Sequence, residues 1–299
     1  MLVILKESKR WDSFRKLFSN SSIMKLIKQK NTILKSSKEF LADAIFPDSE
    51  DKLPLVIFVH GYKGYKDWGT WELMGEKFAN AGFYFVKFNM SYNGTTLENP
   101  NNFTNLEAFG ENNYSKELAD LEVVINHFKN QKEIDFDNIT LIGHSRGGGI
   151  SVIKASENKS ISKLITLASV STLNRFPKNE AFENWKKDGV YFIENARTKQ
   201  KMPHYFQFFK DYETNEKRFD VEKVCENLKI PSLFIHGSGD EAVELQHSEN
   251  LHHWAKDSQF KIIENAGHTF GAKEPWDYDS LPKELDEAVE ICIDFLNKN

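Results

Sequence analysis

The sequence has few of the features that mark disulfide-rich, metal-binding or nucleic-acid-binding proteins. Its 299 residues include only two cysteines, Cys225 and Cys292, which lie far apart and without metal-ligand spacing. This predicts no disulfide framework and no metal site, and it indicates a reducing compartment. We expect both cysteines to be small buried hydrophobic residues. The formal net charge of −5 provides no basic surface for nucleic acid.

Long apolar segments are also absent. No run approaches the roughly 18 residues that span a bilayer, and MLVILKESKR reaches its charges where a signal peptide would continue its apolar region. We therefore expect a cytoplasmic protein without a membrane partner. Residues 1–23 are basic and lack clear periodicity, so we interpret them as an N-terminal extension, either disordered or helical. Translation from Met24 is the alternative, and residues 24–299 are assigned to one domain.

Apolar segments typical of strands alternate with helical patterns along most of the chain. The predicted strands are 26–30, 40–46, 55–60, 83–90, 139–142, 163–167, 232–236 and 259–263. The predicted helices are 70–81, 115–130, 244–255 and 282–296. The first two strands partly alternate apolar and polar residues, which favours an antiparallel hairpin at a sheet edge. The whole pattern predicts an α/β fold with a mainly parallel sheet and helices on both faces.

Two segments interrupt this alternation. Residues 91–113 form a long polar stretch, predicted to be a loop beside a site. Residues 171–220 are rich in aromatic and charged side chains, and 189–193 and 199–202 predict a small hairpin around 195–198. We interpret residues 171–220 as a cap inserted over a functional site. The alternative is a surface elaboration that does not contact the site.

The stretch LIGHSRGGGI places Ser145 between a strand and a helix, with Gly143 and Gly147 two residues to either side. A sharp turn there needs glycine, because a Cβ at either position would crowd its neighbours. A serine hydroxyl reacts as a nucleophile only when a base takes its proton. The pattern therefore predicts that Ser145 is a nucleophile and that a histidine and an acid lie close to it.

The base and the acid are expected after later strands. Of nine histidines, His268 in NAGHTFG is the best placed, directly after the strand 259–263. Asp240 in IHGSGDEAV follows the strand 232–236, and Glu241 is the alternative acid. Six other histidines are not expected to be the base. His60 and His236 are interpreted as structural hydrogen-bonding residues, and His144 is expected to point away from the serine beside it. His247, His252 and His253 are interpreted as solvated residues of a polar helix.

Two backbone N–H groups should stabilise the oxyanion that forms during attack on a carbonyl. Arg146, which follows the serine, is expected to provide one. The turn HGYKG after the strand 55–60 should provide the other, from Tyr62 or, as the second choice, Lys63.

Four motifs, HGYKGYKDWG, GHSRGGG, IHGSGDEAV and NAGHTFG, follow one another between residues 53 and 270. Together they resemble the α/β-hydrolase superfamily, whose triad has the same order of serine, acid and histidine. Within it they are similar to bacterial serine esterases and dienelactone-hydrolase-like proteins, a group that includes cinnamoyl esterases and acyl-aminoacyl-peptidase-like relatives. The resemblance implies ester hydrolysis through an acyl-enzyme, without a cofactor. Dienelactone hydrolases carry cysteine where this chain has Ser145, so their own activity is not expected.

The resemblance leaves the substrate open. In cinnamoyl esterases the insertion binds the phenolic acyl group, which implies contacts from the aromatic residues of segment 171–220. Candidate substrate-binding residues are Lys63, Trp68, Trp185 and Arg197. A positive mouth that favours anionic acyl groups is a further hypothesis, against the alternative that its residues are simply solvated: Lys63, Lys66, Arg146, Arg175 and Arg197.

We expect a hydrolase of small acyl or aryl esters, with a small-molecule partner. A serine peptidase of the acyl-aminoacyl or dipeptidyl type is the alternative, disfavoured because such peptidases usually carry a propeller domain that these 299 residues lack. A noncatalytic binding protein with the same fold is the third hypothesis. The sequence does not determine the oligomeric state.

Overall fold

The computed structural model describes residues 25–298. The strands are β1 (Leu26–Lys35), β2 (Glu39–Pro47), β3 (Leu53–Val59), β4 (Tyr84–Phe88), β5 (Ile134–His144), β6 (Ile161–Leu167), β7 (Val190–Glu194), β8 (Lys201–Tyr205), β9 (Ser232–Gly237) and β10 (Ser258–Ile263). The helices are α1 (Trp71–Asn80), α2 (Leu106–Gly110), α3 (Tyr114–Phe128), α4 (Arg146–Glu157), α5 (Asn179–Asp188), α6 (Gln207–Thr214), α7 (Val221–Asn227), α8 (Gln246–Trp254) and α9 (Lys283–Asn297). The predicted N-terminal extension lies outside the described residues.

Eight strands form one sheet in the order β1-β2-β4-β3-β5-β6-β9-β10. The strands β3 to β10 of this sheet run parallel to one another, whereas β1–β2 and β2–β4 are antiparallel. The predicted edge hairpin and the mainly parallel sheet are therefore both confirmed. The carboxyl ends of β3, β5, β9 and β10 consequently meet at one edge of the sheet, where ligands bind in open α/β folds.

Helices cover both faces of the sheet, because its central strands are apolar on both sides. Helices α1 and α9 pack on one face through residues such as Met74, Phe78 and Val289. Helices α3, α4, α7 and α8 pack on the other face, through residues such as Leu121 and Ile153. Both cysteines are free and buried in these cores, as expected.

The segment 171–220 contains α5, β7, β8 and α6. Strands β7 and β8 form a separate antiparallel hairpin, in which Val190 pairs with Tyr205. Aromatic rings hold the segment together: Trp185 packs against Tyr191 and Phe206 at ring-centroid distances of 4.8 and 5.1 Å. Over the described residues, none of the helices combines the length and the apolar character that a membrane crossing requires.

Candidate active site

Ser145 lies in the tight turn between β5 and α4, with φ at 56° and ψ at −122°. A positive φ is strained for a residue with a side chain and is often found at functional sites. A Cβ at Gly143 would lie 2.5 Å from Gly148 Cα, and a Cβ at Gly147 would lie 2.5 Å from the carbonyl oxygen of His60. The two glycines therefore permit the turn that presents the Ser145 hydroxyl at the sheet edge.

The crowding at Gly147 leads to a prediction about stability. We expect Gly147→Ala to lower the free energy of unfolding by about 1–3 kcal/mol, because the new methyl group would press on the fixed backbone of β3. Urea denaturation would measure the change. Gly267→Ala is the matched control, since a Cβ there meets no atom within 4 Å. Equal stability of the two variants would contradict the packing argument.

The side chains of Ser145, His268 and Asp240 come together at this edge. His268 Nε2 lies 2.9 Å from Ser145 Oγ, and His268 Nδ1 lies 2.7 Å from Asp240 Oδ2. An ionised carboxylate only accepts hydrogen bonds, so Nδ1 of His268 carries the proton and donates it. In the neutral ring, Nε2 then accepts a hydrogen bond from the Ser145 hydroxyl.

The side chain of Asp240 is fully buried, and its carboxylate accepts hydrogen bonds from several donors. Oδ1 accepts the backbone N–H groups of Ala242 and Val243, each at 2.9 Å. Burial by itself raises the pKa of Asp240, but hydrogen bonds from His236, His268 and Val243 outweigh it and hold the pKa well below the ordinary value. The carboxylate is therefore negatively charged at neutral pH. The alternative acid, Glu241, is exposed.

Two further histidines stabilise this arrangement through contacts with Asp240 and with the backbone of His268. His236 Nε2 lies 3.1 Å from Asp240 Oδ2 and 2.9 Å from the carbonyl oxygen of Val243, while its Nδ1 faces Ser248 Oγ at 2.7 Å. His144 donates from Nε2 to the backbone oxygen of His268 at 2.9 Å. Burial, together with the nearby His268, lowers the pKa of His144 to about 3, so this ring is neutral. The sequence predicts a structural role for His236 and a His144 side chain that points away from the serine. No local pattern identifies their partners, because the contacts join distant loops.

The turn HGYKG packs directly against the serine. A Cβ at Gly61 would lie 2.9 Å from Ser145 Cβ, so glycine is required for this approach. Within residues 25–298, the backbone N–H groups of Tyr62 and Arg146 have no protein acceptor. Both therefore remain available to an oxygen atom bound beside Ser145.

The side chains of Tyr62 and Arg146 also contact each other. The Arg146 guanidinium lies 4.8 Å from the Tyr62 ring centroid and forms an ion pair of 2.6 Å with Glu117 on α3. The Tyr62 hydroxyl and His204 Nε2 form a hydrogen bond of 2.6 Å, and burial with the nearby cations Arg146 and Lys63 lowers the pKa of His204 to about 3. His204 lies on β8, so segment 171–220 is joined to the turn that carries Tyr62. No pattern in the sequence indicates this contact.

Two cavities open beside Ser145 and His268. The larger has a volume of about 410 Å³, and its walls come from the sheet edge, from α3 and from segment 171–220: Tyr62, Lys63, Tyr114, Ser145, Arg146, Val170, Leu173, Arg175, Phe176, Tyr191, Ile193, His204, Phe208, Ala242, Val243 and His268. The smaller has about 120 Å³ and includes Trp68, Trp71 and Thr269 in its wall. The larger cavity thus combines aromatic and aliphatic side chains with several polar groups.

Some candidate substrate-binding residues lie elsewhere. Lys63 borders both cavities and Trp68 borders the smaller one. Trp185 is only 1% exposed and donates from its ring to the His204 carbonyl, so it packs inside segment 171–220 and lines neither cavity. Arg197 is exposed on the turn between β7 and β8, near Tyr65, and also lines neither. Of the four residues predicted to bind substrate, Trp185 and Arg197 therefore do not line the cavities beside Ser145.

Lys66 does not contribute to a positive cavity mouth, contrary to the hypothesis drawn from the sequence. It is 2% exposed and forms ion pairs with Asp43 at 2.7 Å and Asp67 at 2.6 Å. Carboxylate oxygens of Asp43, Asp67 and Glu72 lie within 4.8 Å of one another. However, four lysines form ion pairs with these carboxylates: Lys28, Lys30, Lys66 and Lys87. The lysines balance the three carboxylates, which makes the cluster a partly buried ionic network.

Known proteins share this architecture. The family described as alpha/beta hydrolase fold matches residues 54–211, and no curated protein gives a significant match. The structure of Est1E from Butyrivibrio proteoclasticus with ferulic acid bound has a TM-score of 0.67 and 19% identity, over 89% of this chain and 100% of that one. The esterase domain of a Rhodothermus marinus protein gives 0.61 and 14%, over 91% and 98%.

A peptidase shares the fold as well. Acylaminoacyl peptidase from Pyrococcus horikoshii has a TM-score of 0.63 and 15% identity, over 94% of this chain but 43% of the peptidase. At such identities these similarities establish the fold alone. The family match covers more than half of the sequence and confirms the resemblance that the four motifs indicated. The chain belongs to the α/β-hydrolase fold family.

Proposed function

We propose that the chain is a serine hydrolase that cleaves carboxylic esters of small acyl or aryl acids. The observation that carries this proposal is the continuous hydrogen-bonded row from Ser145 Oγ through His268 to the buried carboxylate of Asp240. The row opens into a cavity of about 410 Å³, which is large enough for a small ester. Nucleophile, base and orienting acid are thus arranged as acyl transfer requires.

In the first half of the reaction, Ser145 Oγ attacks the ester carbonyl while His268 Nε2 takes the hydroxyl proton. The negative charge of Asp240 stabilises the imidazolium that results. The carbonyl oxygen becomes an oxyanion and accepts hydrogen bonds from the backbone N–H groups of Tyr62 and Arg146. When the tetrahedral intermediate collapses, the C–O bond to the alcohol breaks and His268 returns its proton to the leaving oxygen.

The second half repeats these steps with water. His268 takes a proton from a water molecule, whose oxygen attacks the acyl-enzyme carbonyl. The same two N–H groups stabilise the second oxyanion. The bond between the acyl carbon and Ser145 Oγ then breaks, and His268 protonates the serine. The acid leaves and the free enzyme is restored.

A fluorophosphonate probe tests the proposal directly. We expect the wild-type protein to be labelled, because the activated serine attacks the phosphorus atom, and Ser145→Ala to remain unlabelled. Intact-protein mass spectrometry would detect the adduct, and circular dichroism would show that both proteins are folded. A folded wild-type protein that resists the probe would refute the proposed function.

Ester and amide substrates separate the proposal from its peptidase alternative. We expect hydrolysis of p-nitrophenyl acetate and butyrate, and a much lower kcat/KM for an aminoacyl p-nitroanilide. The residues that line the larger cavity include no acidic side chain, so within the described chain that cavity offers no carboxylate for the free amine that a dipeptidyl peptidase binds. A preference for the anilide would instead favour the peptidase.

A further inference from the structure

The larger cavity beside Ser145 has an unbalanced charge. Its wall includes three cationic residues, Lys63, Arg146 and Arg175, and no acidic residue. The positive charge of Arg146 is balanced locally, because the buried carboxylate of Glu117 lies 2.6 Å from its guanidinium. For Lys63 and Arg175, no carboxylate lies within 4.0 Å in the part of the chain that the structure describes. Two positive charges therefore face the cavity without a negative partner.

The protein around Lys63 provides little stabilisation for the positive charge of its ammonium group. It is half-buried, and burial holds its pKa below the ordinary value. Its Nζ lies 5.1 Å from the centroid of the Tyr62 ring, and the Arg146 guanidinium contacts the same ring at 4.8 Å. The nearby His204 is neutral, so it adds no further positive charge. An anion in the cavity would offset the desolvation and the repulsion at this lysine.

Arg175 is an exposed residue in the wall of the cavity. Its Nη1 lies 3.2 Å from His247 Nε2. His247 Nδ1 lies 3.1 Å from the backbone nitrogen of Ser171 and 2.8 Å from its Oγ. Burial and the charge of Arg175 both lower the pKa of His247, which keeps the ring neutral. The Arg175 guanidinium has five N–H groups, and within residues 25–298 its side chain contacts one acceptor candidate, His247 Nε2, so its other N–H groups can bind an oxygen atom in the cavity.

We propose that the substrate carries a carboxylate, in its acyl or its alcohol part, and that Lys63 and Arg175 bind this charge in the larger cavity. The inference rests on the proposed ester hydrolysis and narrows its substrate class to esters that keep one free acid group. An arginine binds a carboxylate through two parallel N–H bonds, whereas a lysine acts as a point charge. The aromatic wall of the cavity, including Phe176 and Phe208, would contact the carbon skeleton between the ester and the acid.

The test compares esters that differ only in charge. In the first pair, the p-nitrophenyl monoester of terephthalic acid is compared with its methyl-capped form. In the second, 4-carboxyphenyl benzoate is compared with its methyl ester, so that the carboxylate lies in the alcohol part. We expect kcat/KM of the wild-type enzyme to be at least tenfold higher for the charged member of one pair. Ionic strength of about 0.5 M should reduce this ratio, because salt screens the attraction.

Variants of Lys63 and Arg175 test whether these two cations cause the preference for charged esters. We expect Lys63→Gln to lower the charged-to-neutral ratio by about tenfold and Arg175→Gln by about fivefold, with a larger loss for Arg175→Glu. Arg197→Gln is the matched control, because this exposed arginine of the same segment lines neither cavity, and we expect its ratio to equal that of the wild type. Circular dichroism and fluorophosphonate labelling would show that each variant is folded and has a reactive serine.

The outcomes separate the two proposals. Hydrolysis of the neutral esters at equal or higher kcat/KM than both charged ones would overturn the inference and leave ester hydrolysis intact. If the wild type hydrolyses neither pair, the proposed function fails, and binding decides the inference. Calorimetric titration of Ser145→Ala with terephthalate should then show binding that the uncharged terephthalamide lacks and that Arg175→Gln weakens. Equal binding of the two compounds, or binding of the amide alone, would overturn the carboxylate site.

Discussion

Replacing His268 with alanine is expected to lower kcat for p-nitrophenyl butyrate by about 10⁴-fold or more. His268 is the histidine hydrogen-bonded both to Ser145 and to Asp240. Without it, the serine proton has no acceptor at 2.9 Å, and no group returns a proton to the leaving alcohol. Steady-state kinetics would measure the loss, and labelling by the fluorophosphonate probe should slow in parallel.

The control for this variant is His253→Ala. His253 is exposed on α8, so its removal should change kcat less than twofold. His236→Ala is expected to fall between the two, because it removes one donor to Asp240 but leaves the hydrogen bond between Asp240 and His268. A His268→Ala enzyme with kcat within tenfold of the wild type would exclude His268 as the general base.

The second large effect is expected for Asp240→Asn, about 10³ to 10⁴-fold in kcat. The carboxylate accepts four hydrogen bonds, from His268, His236 and the backbone N–H groups of Ala242 and Val243. An asparagine amide has only one oxygen, so its NH₂ group would face donors. His268 would then adopt the other tautomer, with its proton on Nε2, where it cannot accept the serine hydroxyl.

Glu241→Gln is the comparison for the acid. Glu241 neighbours Asp240 in sequence but is exposed, and we expect its variant to keep kcat within twofold of the wild type. Urea denaturation of Asp240→Asn would establish that the loss does not reflect unfolding at the temperature of the assay. A greater loss in Glu241→Gln than in Asp240→Asn would reverse the assignment of the acid.

The sequence predicts the fold well where a local pattern determines it. Strands such as β3 are apolar on both faces, and α1 places Trp71, Met74 and Phe78 on one face. The spacing of apolar residues in the sequence therefore predicts both kinds of element. The turn at Ser145 is predictable for a related reason, since glycine on both sides of a serine indicates a crowded turn. Helix α7 and the first residues of β5 were missed, because neither has a strong apolar period; β5 begins with IDFDN.

The wall of the cavity could not be predicted in the same way. Residue type alone suggests Trp185 and Arg197 as substrate-binding residues. Packing within segment 171–220 determines which side chains face the cavity. Lys66 is buried because Asp43, which is 23 residues earlier, lies beside it on β2. Such pairings depend on the register of strands that are distant in sequence. The bond between Tyr62 and His204 likewise spans 142 residues.

The position of segment 171–220 between β6 and α7 has an evolutionary consequence. Ser145, Asp240 and His268 all follow strands of the main sheet, whereas much of the cavity wall comes from one uninterrupted stretch of chain. Insertions, deletions or recombination within that stretch could therefore alter which acids fit while the reacting groups keep their backbone supports. His204 limits such changes, because a replacement segment must still provide a hydrogen-bond partner for the Tyr62 hydroxyl.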